Sequence, residues 1–304
     1  MAISRAQLVK ELEPGLNALF GLEYKRYENQ HAEIYNIESS DRAFEEEVML
    51  SGFGNAQVKG EGQGISFDDA QETFTARYTH ETVALAFAIT EEAIEDNLYD
   101  RISSRYTKAL ARSMSNAKQV KAVTPLIDGL PSTDGFDSGD GVSLFNTAHT
   151  TVSGTNVKNT LTTQADLNET SLEQSLIDIA AMTDERGLRI AARGVKMIIP
   201  SANQFTAERL MKSQGRTGTA DNDINAIGSM GMIPQGYRVN NYLTDADSWY
   251  IITDVPNGMK MFVRTPLNTA MEGDFDTGNV RYKARERYSF GVSDPRGIFG
   301  VEGA

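Results

Sequence analysis

Between Thr73 and Ile89 apolar and polar residues alternate almost without a break. Phe74, Ala76 and Tyr78 lead into Val83, Leu85, Phe87 and Ile89, while Thr73, Thr75, Arg77 and Thr79 occupy the other face. A period of two is the strand period. At ~3.3 Å per residue one continuous strand would reach on the order of 55 Å, against a usual strand of roughly 17–20 Å. Such a strand does not fit inside one compact sheet. The pattern predicts that part of it projects as a two-stranded arm, pairing back with Val48–Leu50. Gly52, Gly54, Gly60, Gly62 and Gly64 lie between the two limbs and form the tip. An isolated hairpin is marginal in water, so the arm needs a further surface to lie against.

The period then changes. Thr90 caps a helix with Glu91 and Glu92 in its electropositive first turn, and Ile94, Leu98, Ile102, Tyr106, Leu110 and Met114 recur at i,i+4, followed by Ala117 and Val120. The helix is predicted to run to Val123, ahead of Pro125. It would have about 33 residues and measure on the order of 50 Å. Its single narrow stripe suits a helix laid across one sheet. Near the N-terminus, Ser4 and Gln7 read as a capping box for a helix with Leu8, Leu12 and Leu16 on one face, which Pro14 should break or restart. Residues Leu22–Ala43 have no clean period and read as an extended arm.

From Ile127 to Thr163 the chain is rich in Gly, Ser, Thr, Asp and Asn, a long loop excursion. Thr170 and Glu173 form a capping box for a helix with Leu172, Leu176, Ile179 and Ala180, ended by Gly187. Val195–Ile199 is a short buried strand. Ser201 and Gln204 open a helix carrying Phe205 and Leu210. Alternating strand and helix suggest an α/β unit here, and Ser213–Asp223 is a polar tip. Pro256-Asn257-Gly258 reads as a hairpin turn between strands Trp249–Thr253 and Met259–Arg264. Val280, Tyr282, Ala284, Glu286, Tyr288, Phe290 and Val292 alternate with Arg281, Lys283, Arg285 and Arg287, which share one strand face.

Composition removes whole classes of chemistry. The 304 residues include no Cys and three His. Disulfide frameworks, thiolate metal sites and cysteine nucleophiles are excluded. The N-terminus has no secretory h-region, and the longest apolar stretch, Val83–Ile89, is far below the roughly 20 residues needed to span a bilayer. The net charge of -13 argues against gripping nucleic acid with the whole surface.

No local pattern completes an active site. Gly60, Gly62 and Gly64 fit neither dinucleotide nor phosphate-loop spacing, and Asp134, Asp137 and Asp140 miss the calcium-loop spacing. Glu45–Glu47 and Asp68–Asp69 read as solvated charge, and His149 as a structural histidine, since no nucleophile elbow occurs. Accordingly, no catalytic residue, cofactor or metal is expected. Against a net charge of -13 the cations Arg281, Lys283, Arg285 and Arg287 are the most informative charge pattern. They could meet nucleic acid, an acidic face of a neighbouring subunit, or local acids.

The order of elements resembles that of the major capsid proteins of tailed bacteriophages, with the Hong Kong 97-like fold. Three stretches carry the likeness: Lys10-Glu-Leu-Glu-Pro-Gly-Leu-Asn-Ala-Leu-Phe20, Gly141-Val-Ser-Leu-Phe-Asn-Thr-Ala-His149 with Gly154-Thr-Asn156, and Ser289-Phe-Gly-Val-Ser-Asp-Pro-Arg-Gly-Ile-Phe-Gly300. The resemblance implies an α+β chain with an N-terminal arm at 1–44 and an E-loop at 45–80. A P-domain would comprise 81–125 and 258–304, with its spine helix at 90–123, and an A-domain would span 126–257. It also implies self-assembly into hexamers and pentamers of an icosahedral head, built in the host cytoplasm and enclosing double-stranded DNA without reading its sequence.

Implied partners are a separate scaffolding protein, because the E-loop begins near residue 45, then a portal protein, with or without a decoration protein, and no membrane. Intersubunit contacts would fall to Phe53, Val58, Lys59, Ile65 and Phe67 on the arm and to Arg281, Lys283, Arg285 and Arg287. Some members of the family cross-link an E-loop lysine to a neighbour; Lys59 holds a comparable place, yet a lone tip lysine is common and no covalent bond is expected. Two rival readings stay open: an encapsulin-like nanocompartment shell, and a cytosolic hydrolase using carboxylates such as Asp68 and Glu72.

Overall fold

The computed structural model describes residues 5–90, 92, 99–133, 135–215, 223–274 and 278–304. Expectations resting on Ser4, Glu91, Ile94, Leu98, Asp134 and residues 216–222 lie outside them. In chain order the elements begin with α1 (Arg5–Arg26), β1 (Asn36–Ser39), β2 (Phe44–Leu50), β3 (Glu72–Thr79), β4 (Glu81–Ile89) and α2 (Tyr99–Asp128). Then come β5 (His149–Thr150), β6 (Asn156–Val157), α3 (Glu169–Ala181), β7 (Gly194–Ile199), α4 (Gln204–Lys212) and α5 (Ala226–Met230). The chain closes with β8 (Tyr237–Val239), β9 (Trp249–Thr253), β10 (Met259–Gly273), β11 (Val280–Val292) and β12 (Ile298–Val301).

The predicted long strand is continuous in the chain but divided in space. It breaks at His80. β3 pairs antiparallel with β2, making the arm, whereas β4 joins a four-stranded sheet in the order β1-β10-β11-β4. In β11 the alternation holds: Val280, Tyr282, Ala284 and Glu286 are buried, while Arg281, Lys283 and Arg285 are exposed. The inner face of this sheet packs on α1 and α2 through Leu16, Phe20, Leu110, Ala111, Met114, Tyr282 and Ala284. Each large apolar side chain buried there contributes about 1.5–3 kcal/mol.

Both helices differ from expectation at their prolines. α1 runs through Pro14 to Arg26, because burial of Leu16 and Phe20 against α2 and β11 offsets the roughly 3 kcal/mol that an interior proline costs. α2 passes Pro125 and ends at Asp128; Gly129 N–H donates to Pro125 O at 3.2 Å, and Leu126 is buried. The contact seam of α2 also differs. Tyr106 and Val120 are exposed, and Thr107, Leu110, Ala111, Met114, Ser115, Gln119, Ala122, Val123 and Leu126 are buried. A strict i,i+4 row drifts about 40° around the helix per step, so a straight seam must mix steps of three and four.

Residues 22–43 are not an extended arm. They finish α1, make a 3-10 turn at Gln30–Glu33, and enter the sheet as β1, parallel to β10. Buried Ile34 and Tyr35 hold them there, and Tyr35 O–H donates to Ala122 O at 2.6 Å.

The second sheet has the order β12-β9-β7-β8. Its core joins Leu172 and Ile179 of α3 to Met197, Trp249, Ile251 and Phe299. β7 and β8 are parallel across the α4–α5 connection, as strand–helix alternation suggested. The helix caps differ from expectation. Asn168 with Ser171 caps α3 in place of Thr170 with Glu173, and α3 ends at Ala181, short of Gly187. A 3-10 turn at Ser201–Asn203 precedes α4, no side chain caps it, and Phe205 is exposed.

The expected hairpin at Pro256-Asn257-Gly258 does not form. Asn257 takes the left-handed turn conformation (φ 60°), yet β9 pairs with β7 and β12, and β10 pairs with β1 and β11. The turn sets a bend; each strand's partner is set by the core that buries it, Trp249 and Ile251 in one and Met259 and Met261 in the other. The return segment therefore divides, with β10 and β11 in the first sheet and β12 in the second.

Candidate intersubunit surfaces

The arm is anchored at its root and bare at its tip. At the root Tyr78 and Ala76 pack on Phe262 of β10, with the Tyr78 and Phe262 rings edge to face at 4.8 Å between centroids. Tyr78 O–H donates to Ser293 Oγ at 2.5 Å, and Ser293 Oγ donates to Glu47. Glu47 in turn accepts from Lys260 Nζ at 2.5 Å, and Glu38 lies 3.4 Å from the same ammonium. Glu47, Lys260 and Ser293 border a polar cleft of about 250 Å³ with Val48, Met49 and Asn257. Glu45–Glu47 are thus not simply solvated charge. Glu45 accepts from Ser40 Oγ, Glu46 lies 3.8 Å from Arg77, and Glu47 is tied into the root.

His80 is the joint between arm and sheet. Its ring is buried, with Nε2 2.9 Å from Ser40 Oγ and Nδ1 3.0 Å from Ser289 Oγ. Ser40 Oγ donates to Glu45, so it accepts from Nε2–H, and Ser289 then donates to Nδ1 of a neutral ring. Burial holds the His80 pKa below its ordinary value, with Arg287 and Arg264 adding to the effect against Glu45.

Beyond Ser51 and Gln71, which still exchange a backbone bond at 2.8 Å, the arm leaves its partner. Phe53, Val58, Lys59, Ile65 and Phe67 are all exposed, Val58 to 98% and Phe67 to 97%. An apolar side chain that exposed gains nothing within its own chain. Asp68 accepts from Gly54 N–H at 2.6 Å and lies 3.7 Å from Arg186, which also donates to Asp69 O. The Gly54 N–H first, then the Asp69 N–H and last the Arg186 charge, hold its pKa below the usual range. Glu72 stands exposed at the start of β3, so no desolvated carboxylate pair forms with Asp68.

Arg281, Lys283, Arg285 and Arg287 do share the outer face of the first sheet. The first three are exposed and Arg287 is half-buried. Arg281 lies 2.5 Å from Asp274. Lys283 and Arg285 have no ion-pair partner among the described residues, and Arg287 Nε is buried without an acceptor. The cationic row and the apolar tip were legible from alternation and glycine content. Lys260, Ser293 and Gly291 at the arm root were not, because only the fold brings them to β3.

His149 is structural. Nδ1 lies 2.7 Å from Asp140 and Nε2 3.1 Å from Asn159 Oδ1, in a buried knot that Asn159 ties to Leu144 O and Pro295 O. Among the described residues no group of three or more His, Asp or Glu side chains could hold a metal, and no helix is long and apolar enough to cross a membrane.

Solved structures similar to this one include capsid and virus-like particle proteins. A virus-like particle protein from Pyrococcus furiosus matches over 94% of this chain and 98% of its own, with a TM-score of 0.56 at 10% identity. The capsid of Myoviridae phage XM1 matches over 89% of both chains, at 0.53 and 12%. The capsid of an empty GTA particle covers 90% of this chain and 89% of its own, at 0.54 and 12%. No curated protein matches by sequence. At such identities structural likeness establishes the fold, which is the Hong Kong 97-like capsid fold. A family model supplies the rest: the phage capsid protein model matches residues 72–301, from the first residue of β3 to the last of β12. An arm whose apolar tip is left uncovered by its own chain and a fold shared with capsid structures are thus joined by a sequence match over most of the chain, which belongs to the phage capsid protein family.

Proposed function

We propose that this chain is the major building block of an icosahedral phage head. It assembles in the host cytoplasm into hexamers and pentamers enclosing double-stranded DNA, and it performs no catalysis. The observation that carries this reading is the arm: a firm root at Tyr78 and Glu47 supports a tip whose Phe53, Val58, Ile65 and Phe67 have nothing to cover them. Closed symmetric assembly supplies that cover without an unpaired edge. In this reading residues 45–80 are the E-loop, 126–257 the A-domain, and 81–125 with most of 258–304 the P-domain. Scaffolding and portal proteins, with or without a decoration protein, complete the head as separate chains.

Negative-stain electron microscopy of purified protein tests the reading. Closed shells are expected; monomers that never assemble under any condition would sink it. Deleting Gly52–Gly64 should leave a folded monomer that forms no shells, and unaffected assembly would remove the arm from the interface. The family match favours a phage head over a nanocompartment with protein cargo, and co-purifying DNA against co-purifying protein separates the two.

A further inference from the structure

The first sheet separates two surfaces of different charge. Its outer face carries the root of the arm, which between Glu45 and Glu72 holds seven acids and one lysine. Its other face is covered by α1 and α2. From Arg101 to Ile127 α2 has six cations and no acid, in a chain of net charge -13. Those cations divide by direction. Lys118 reaches Glu286 of β11 beneath the helix, and Lys121 pairs with Glu81 of β4. Arg105, Lys108 and Arg112 are exposed and have no ion-pair partner among the described residues.

Steps of three and four keep Arg105, Lys108 and Arg112 on one side of the helix, away from the buried Thr107, Leu110, Ala111 and Met114. The row is about 10.5 Å long, with gaps of about 4.5 and 6 Å along the axis. Both gaps are shorter than a Debye length of about 8 Å, so the fields add. Like charges at this spacing weaken a helix, a cost that an anionic partner offsets. Beside the row lie exposed Ala109, Ser113 and Asn116, which are small or polar. Tyr106 and Val120 are exposed too, but they stand about 21 Å apart along the axis and form no patch. The face therefore lacks the apolar centre that a protein interface buries.

A nucleic-acid duplex has the matching chemistry. It carries one phosphate charge for about every 1.7 Å of its axis, so a row of about 10.5 Å faces about six of them. The Ser113 hydroxyl and the Asn116 amide are of the kinds that bond phosphate oxygens. We infer that the exposed face of α2, at Arg105, Lys108 and Arg112, lines the inner wall of the shell and rests on the phosphates of the enclosed double-stranded DNA. The inference rests on the shell reading and adds which side of the first sheet meets the contents, and through which residues. Three phosphate contacts in an acidic subunit hold a duplex weakly and without regard to sequence.

Two measurements test it. In the first, unassembled subunits are titrated with a fluorescent mixed-sequence duplex at salt from about 50 to 200 mM. Three contacts give a slope of log affinity on log salt of about -2.7, a loss of about fortyfold across that range. Arg105→Gln with Lys108→Gln and Arg112→Gln should weaken binding about tenfold at low salt and flatten the slope. In the second, shells are assembled with the duplex present, treated with nuclease, and assayed for protected DNA. The triple variant should form normal shells that protect about tenfold less duplex. Lys283→Gln with Arg285→Gln, on the opposite face of the sheet, should protect as much as wild type. Thermal melts check folding, and Arg105→Gln with Arg112→Gln replaces the triple variant if that one fails to fold. Unchanged binding and protection in the triple variant overturn the inference. Loss of protection in the Lys283 and Arg285 variant alone also overturns it, and assigns the inner wall to the sheet. A triple variant that binds duplex normally yet assembles poorly overturns it in favour of a protein partner on α2. Wild-type subunits that form no shells count against the shell reading, and the subunit titration still decides whether this face binds a duplex.

Discussion

The ring of Tyr78 lies directly on the backbone of Gly291: a Cβ at position 291 would sit 2.6 Å from Tyr78 Cε1. This contact lets the arm strand pack flat on β11. Phe262 and the Ser293 hydroxyl hold the ring from the sides, so it has little freedom to yield.

Gly291→Ala should therefore lift Tyr78 and loosen the arm root, costing about 1–3 kcal/mol as other overpacked sites do. Tyr78→Phe keeps the packing and loses only the bond to Ser293, about 1 kcal/mol. Chemical denaturation gives the stabilities. Limited proteolysis near Gln71 should speed up in the first variant and hardly change in the second.

Gly258 and Gly297 make a closer crossing, at the bend that sends β9 and β10 into different sheets. A Cβ on Gly297 would lie 2.3 Å from Gly258 Cα, against backbone that has no rotamer to change. Gly297→Ala is expected to destabilise more than Gly291→Ala and to give little soluble protein. Equal stability of the two variants, compared by thermal melting, would contradict this.

His31 should make the subunit sensitive to acid. Gln119 Nε2 donates to His31 Nδ1 at 3.0 Å, which requires a neutral ring. Burial first, and then the nearby Lys118 charge, lower its pKa to about 4. An unfolded histidine titrates near 6.5, so the stabilisation is complete above that pH and is lost as pH falls towards 4. His80, with its pKa lowered by burial, acts in the same direction at the arm joint. Denaturation of unassembled subunits at pH 7 and pH 5 should show a loss on the order of 2 kcal/mol from His31. His31→Gln should flatten the profile; an unchanged slope would remove His31 as its source.

Lys118 Nζ lies 2.5 Å from Glu286 beneath α2, with both side chains largely buried and the ammonium 5.4 Å from the ring centroids of Tyr24 and Tyr288. Lys118→Met leaves a carboxylate buried without its cation and should cost about 3–5 kcal/mol. Lys118→Met combined with Glu286→Leu should recover much of that loss. A double-mutant cycle by chemical denaturation measures the coupling.

Much of this was written in local periodicity. Alternation marked β3, β4 and β11 and placed Arg281, Lys283 and Arg285 on one face. Glycines between Gly52 and Gly64 marked the tip, and three loose stretches of wording pointed to the capsid family. Local rules failed where burial outweighed them. Pro14 and Pro125 did not end their helices, because Leu16, Phe20 and Leu126 are held in a core that no short window of sequence contains. The Asn257 turn bends the chain as its residues suggest, yet it makes no hairpin.

By itself, then, the sequence determined the repeat of each element, the absence of thiol chemistry and the charge of each surface, since those depend on residues close together in the chain. Only the tertiary structure decided which strands pair and that the long strand is cut at His80. It also decided that Glu47, Lys260, Ser293 and Tyr78 meet to root the arm. Those choices depend on contacts between residues about two hundred positions apart, such as Tyr78 with Ser293, whose energy appears only once both partners are buried together.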